Sequence, residues 1–208
     1  GLGDVYKRQF YIEHMDKNHK LLFHGAKSRI EGKLDIHKSR TNNDLGQGFY
    51  TGERYEQAIS FISGFEKSSV YIFDFKEEGL KGKKYNVNQE WMMTIAYYRG
   101  ALEEYENHPI IKKLIEKSCD CDYIIAPIAD NRMFQIINSF IMGEITDEQC
   151  KHCLAATNLG YQYVFKSDKA IKSLKMLERC YISEKEKEYA WFSYAATIIR
   201  AGCNDQQM

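Results

Sequence analysis

No stretch of this sequence approaches the ~20 consecutive apolar residues that a membrane-spanning helix needs, and its N-terminus lacks the apolar core of a secretory signal. The expectation is a cytoplasmic protein with no membrane partner. Charge of one sign is also missing, because 29 Lys and Arg balance 29 Asp and Glu. That balance removes the broad positive field with which general nucleic-acid binders draw in their partners, and leaves room only for a local basic patch. Proline is scarce, at 2 residues, and no internal repeat or low-complexity tract is visible.

Aromatic side chains are plentiful, with 15 Tyr and 11 Phe, so the chain can bury large groups and does not read as disordered. At 208 residues a single hydrophobic core suffices. Six cysteines (Cys119, Cys121, Cys150, Cys153, Cys180 and Cys203) would suit a small secreted scaffold, but a chain with this much core and no export signal is expected to keep them reduced. Gly3–Gln9 (GDVYKRQ) looks like translated sequencing-adapter sequence, so residues 1–9 are set aside, with the true start missing or near Met15.

Lys20–Phe23 reads as a first strand ending at His24-Gly25, where glycine lets the backbone turn. Ser28–Asp44 is polar and without periodicity, which predicts an ordered loop carrying a short strand near Leu34–Ile36. In Gly46–Gly52 (GQGFYTG), glycines bracket a two-aromatic strand and permit close approach by another backbone or a ligand. Tyr55, Ala58, Ile59 and Ile62 make one apolar helix face, and Ser69–Phe75 alternates as a strand. A shorter strand fits Lys81–Tyr85.

Asn88 caps a predicted helix through Trp91, Met92 and Ile95, and Pro109 opens another. Tyr123–Ile128 (YIIAPI) reads as a central strand, and Asn131 begins a helix containing Met133 and Ile137. Two capping boxes, Thr146–Gln149 and Ser183–Glu186, start further helices. Between them Tyr161–Phe165 alternates as a strand, and Ser167 caps a helix expected to hold Ala170, Ile171, Leu174 and Leu177. The terminal helix is expected to run through Trp191, Phe192, Ala195, Ile198 and Ile199. Five or six strands mixed irregularly with six or seven helices predict an α+β fold, not a doubly wound sheet.

Five segments stand out together: LLFHGA (Leu21–Ala26), the polar loop, GQGFYTGERYEQA (Gly46–Ala58), YIIAPIADNR (Tyr123–Arg132) and YQYVFKSDKAIKSL (Tyr161–Leu174). In this order and spacing, over roughly residues 20 to 180, they resemble a bacterial domain-of-unknown-function family of the ADP-ribosyltransferase clan, often found beside antitoxin-like genes. The likeness is to the diphtheria-toxin-like branch, with its His, Tyr and acidic triad.

That resemblance implies a split mixed β-sheet core with surrounding helices over residues 10–180, and a helical C-terminus (181–208) packed on the same domain. It implies NAD as a substrate, an unidentified macromolecular acceptor and a possible antitoxin-like partner. Carried over by position, His24 and Tyr50 are the histidine and the nicotinamide-stacking aromatic, with Gly25, Gly48, Phe49 and Thr51 adjoining them in the cofactor site. The late strand offers Gln162 where the resemblance calls for a carboxylate, which leaves Asp130, ending a predicted strand, and Glu90 as substitutes. No metal is expected.

Simpler readings stand beside each of these. His24 could be a histidine satisfied by a loop carbonyl, Asp130 a helix cap, Glu90 a partner of the helix dipole, and Gln162 part of a solvated strand face. Cys119, Cys121, Cys150, Cys153 and His152 have unconvincing spacing for zinc, and no motif pairs a cysteine with a histidine for a hydrolase. Lys166, Lys169, Lys172 and Lys175 read as one polar helix face. RNA 2′-phosphotransfer would need basic residues near His24 beyond Lys27, Arg29 and Arg40. The expected function is NAD-dependent mono-ADP-ribosyl transfer of a toxin-like or effector-like kind; the alternative is a catalytically silent nucleotide-binding or protein-interaction module.

Overall fold

A computed structural model describes residues 18–155 and 158–193. Seven strands form one mixed sheet: β1 (His19–Ala26), β2 (Phe49–Gly52), β3 (Ser69–Lys76), β4 (Gly82–Lys84), β5 (Tyr123–Pro127), β6 (Tyr161–Phe165) and β7 (Leu174–Tyr181). Their spatial order is β4-β5-β6-β2-β1-β3-β7. Only β4 and β5 run parallel; every other neighbouring pair is antiparallel. The helices are α1 (Tyr55–Ile62), α2 (Gln89–Tyr98), α3 (Pro109–Cys119), α4 (Asn131–Ile141), α5 (Asp147–Ala155) and the short α6 (Asp168–Lys172), and residues 184–193 are also helical. The fold is α+β.

The helices form where the caps require them. Asn88 accepts the Trp91 N–H at the start of α2, Thr146 and Gln149 exchange bonds before α5, and Ser183 and Glu186 do the same at residue 184. In α1, Tyr55, Ala58, Ile59 and Ile62 are the buried positions, one face of a 3.6-residue period.

Alternation along the strands sends side chains to two sides of the sheet. On one side lie two separate apolar clusters. Trp91, Met92 and Ile95 of α2 pack over Ile124 and Val164, while Tyr55, Ile59 and Ile62 of α1 pack over Phe23, Val70 and Ile72. On the opposite side Leu22, Phe49, Phe73, Phe75 and Phe165 form a third cluster, roofed by Ile30, Leu34 and Ile36 of the polar loop and by Ala170 of α6.

At its centre the sheet is barely continuous. β1 is paired with β3 over eight residues, yet with β2 only through Phe23 and Gly52.

Three expectations need correction. β1 runs two residues beyond His24, which therefore lies inside the strand and not at its end. Near Leu34–Ile36 the chain forms a 3₁₀ turn, Ile36–Lys38, because Asp35 accepts the His37 N–H and caps it. The helix expected to hold Leu174 and Leu177 stops at Lys172, and Leu174 opens β7.

The spacing misled there because β7 carries a bulge. Phe73 pairs with Met176 but Ile72 with Glu178, so Leu177 is an extra residue; Leu174 packs into the third cluster and Leu177 and Cys180 into that of α1, so apolar residues three apart mimic a helix face while lying on opposite sides of the sheet. In the last described helix Trp191 and Phe192 are 55% and 68% exposed, and Ala190 is the residue that meets the core. Ala195, Ile198, Ile199 and Cys203 lie outside the described residues.

Gly25 has a packing reason to be glycine, since a Cβ there would overlap the Ala58 carbonyl of α1. Gly25→Ala should therefore lower stability by about 1–3 kcal/mol through overpacking. Urea unfolding at neutral pH measures this, and an unchanged midpoint would show that α1 can give way.

Candidate functional site

The bond that organises the centre of the molecule joins β1 to β2 by a side chain. His24 Nδ1 lies 2.6 Å from the Tyr50 carbonyl oxygen. A carbonyl can only accept, so Nδ1 carries the proton and Nε2 keeps its lone pair. The ring stacks on Phe49, with centroids 4.5 Å apart and planes 27° from parallel. Burial holds the imidazole below its ordinary 6.5, against the smaller raising effect of the bond to Tyr50.

His24 and Tyr50 meet through backbone only. Since Phe49 and Tyr50 are neighbours on β2, their side chains leave opposite faces, and His24 stacks on the Phe49 side. The Tyr50 ring instead packs against the cluster of α2. Its hydroxyl donates to the Gly46 carbonyl at 2.6 Å and accepts the Leu45 N–H at 3.2 Å, closing the turn before β2. Burial pushes the phenol well above its usual range.

Gln162 shares the Tyr50 side. It is buried, donates to the Pro127 carbonyl at 3.3 Å, and faces Asp44. Asp44 in turn binds Arg99, whose Nε is 2.7 Å away and whose other nitrogens reach the Ala129 carbonyl and Asn131. Burial raises the Asp44 carboxyl above its usual range, and the Arg99 guanidinium opposes that rise. Asp44 and Arg99 are the residues the sequence did not reveal. They stand 55 positions apart, one closing a polar loop and one before a glycine, and no spacing rule joins them.

The remaining candidates are placed as follows. Asp130 caps α4, accepting the Met133 N–H at 2.8 Å. Glu90 is 2.8 Å from Lys83, at the far edge of the sheet. Thr51 is buried and donates to the Tyr163 carbonyl at 3.4 Å. A Cβ at Gly48 would crowd the Phe165 carbonyl, so this glycine too serves an approach between backbones.

Lys166 leaves the polar face assigned to it. It is half-buried, donates to the Leu45 and Gln47 carbonyls at 2.6 and 2.7 Å, and has its pKa lowered by burial. Among the described residues no cluster of three or more His, Cys, Asp or Glu could hold a metal ion. Nor is any helix among them long and apolar enough to cross a membrane.

These features define an α+β domain whose mixed sheet is divided between two of its central strands and bridged there by a histidine. The chain belongs to the family described as protein of unknown function (DUF3990), which matches residues 21–176, three quarters of its length. No curated protein and no solved structure matches it significantly.

Two measurements probe the site's construction. Asp44→Ala removes the carboxylate partner of the half-buried Arg99 guanidinium and should cost about 1–3 kcal/mol of stability, read from chemical unfolding. For His24, the unfolded chain takes up a proton as pH falls through about 6.5 while the folded protein resists it. Stability due to the neutral ring is therefore full above that value and declines as pH drops toward the lower folded pKa. The His24→Gln variant, neutral throughout, should show a flatter decline of unfolding midpoint below about pH 6.5; parallel curves would locate the acid sensitivity elsewhere.

Proposed function

We propose that this domain binds NAD in the opening between β1 and β2 and transfers ADP-ribose from it to a macromolecular acceptor. The observation that carries the reading is the single registered pair between those strands, with the His24 imidazole taking the Tyr50 carbonyl where the backbone ladder stops. Strands held apart in this way leave backbone edges that a carboxamide can hydrogen-bond, and the fixed Nε2 lone pair can accept a ribose hydroxyl.

Because the imidazole and the phenol leave opposite faces, a ligand touching both rings has to enter between the strands. The Tyr50 ring is held in place through its hydroxyl, which the turn before β2 bonds at Leu45 and Gly46. In this reading NAD is a substrate, the activity is toxin-like or effector-like, and a small antitoxin-like protein is a fitting partner.

A second reading has its own support. Gln162, where a carboxylate would stabilise the ribosyl cation, is a neutral amide engaged with Pro127. Loss of such a charge can lower a rate on the order of 10²-fold or more, which favours a silent nucleotide-binding module.

Labelled NAD and a bacterial lysate separate the two. Transfer predicts labelled acceptor and released nicotinamide, with both falling about 10²-fold or more in His24→Ala and Tyr50→Ala. Asp130→Ala, which loses a helix cap worth about 1 kcal/mol, should stay near wild-type activity. NAD binding in the calorimeter without nicotinamide release would support the silent module, and unchanged labelling in both His24→Ala and Tyr50→Ala would remove the site.

A further inference from the structure

On the side of the sheet that carries His24, a cavity of about 400 Å³ lies over the first residues of β1, β6 and the end of β4, within the volume range of small-molecule sites. Its working surface is Lys20, Glu53, Lys84, Ile125, Tyr161 and Tyr163. Tyr161 is the centre of it. The ring is half-buried and has the Lys84 ammonium 5.4 Å from its centroid, while Glu53 Oε1 accepts the Tyr161 backbone N–H at 3.1 Å.

Lys84 and Glu53 are both exposed, and neither has a partner of opposite charge among the described residues. The other cation at the rim is engaged: Lys20 bonds Glu77 at 3.0 Å and lies 5.5 Å over Tyr163. An aromatic ring is thus flanked by an ammonium and a carboxylate, neither in an ion pair among the described residues. Tyr163 and Ile125 supply an apolar floor beside it.

We propose that this cavity is a nucleotide subsite. A base stacks on Tyr161 and presents its amino hydrogens to Glu53, while the phosphate takes the Lys84 ammonium. Each part of a nucleotide meets the group that suits it: a π-face for the base, an acceptor for its N–H donors, and a donor for its phosphate. The inference does not depend on NAD being the substrate of the β1/β2 opening, since a nucleotide unit could come from the AMP half of NAD or from an acceptor.

The test uses AMP as the probe, titrated by calorimetry into the full chain. AMP should bind, with adenosine and ribose 5-phosphate each at least about tenfold weaker because each lacks one half of the recognition. Tyr161→Ala should weaken AMP by about tenfold or more and Tyr161→Phe hardly at all. Lys84→Gln should weaken AMP but leave adenosine unchanged, and Glu53→Gln, which still accepts the Tyr161 N–H, should weaken both.

Competition then names the source. If NAD places its adenosine here, NAD and AMP exclude each other and Tyr161→Ala weakens both; if an acceptor nucleotide belongs here, the two bind together and NAD ignores the substitution. AMP that fails to bind, or that binds Tyr161→Ala as well as wild type with circular dichroism unchanged, overturns the subsite. NAD failing to bind while AMP does would defeat the ADP-ribosyl reading alone.

Discussion

A sheet is normally continuous because each strand satisfies its neighbour's backbone groups, and here that rule lapses between β1 and β2. One residue pair remains, and the next carbonyl, that of Tyr50, is satisfied by an imidazole. The substitution sets the spacing of everything around it. With the ladder reduced to one pair there, the helix side of the sheet carries two separate cores, one under α2 and one under α1. His24 has to carry a proton on Nδ1 to bond the Tyr50 carbonyl, and burial keeps the ring neutral, so both bear on the shape of the protein as well as on its chemistry.

The turn before β2 is fixed with comparable care. Tyr50 returns its hydroxyl to Leu45 and Gly46, Lys166 reaches across from the end of β6 to the carbonyls of Leu45 and Gln47, and Ser39 accepts the Gly48 N–H at 2.9 Å. Burying the Lys166 amine costs free energy, as its lowered pKa reflects, and the two carbonyls give it acceptors in place of water. The result is a polar loop held as firmly as the strands it joins, with Ile30, Leu34 and Ile36 pressed onto the third cluster.

Much of this was legible in the sequence wherever the determining interaction is local. Asn88, Thr146 and Ser183 announced their helices because a cap and its target lie three residues apart. The face of α1 was readable for the same reason. The features that escaped depend on distant residues: the Asp44–Arg99 pair forms only after α2 has docked, and β7 is a strand only because β3 offers it an edge. His24 and Tyr50 illustrate both sides. Their proximity follows from the order of the motifs, but the divergence of their side chains follows from register, which no single segment encodes.

The irregularity in β7 has a bearing on life in a crowded solution. Outer strands present backbone amides and carbonyls that other chains can extend, and among the described residues the outer strands of this sheet are β4 and β7. β4 is three residues long and ends in two lysines; β7 is eight, long enough to act as a template, but it is kinked by its extra leucine and studded with Lys175 and Arg179. The same inserted residue that disguises the strand as a helix thus blunts it against lateral growth, so the protein can keep an open sheet without inviting polymerisation.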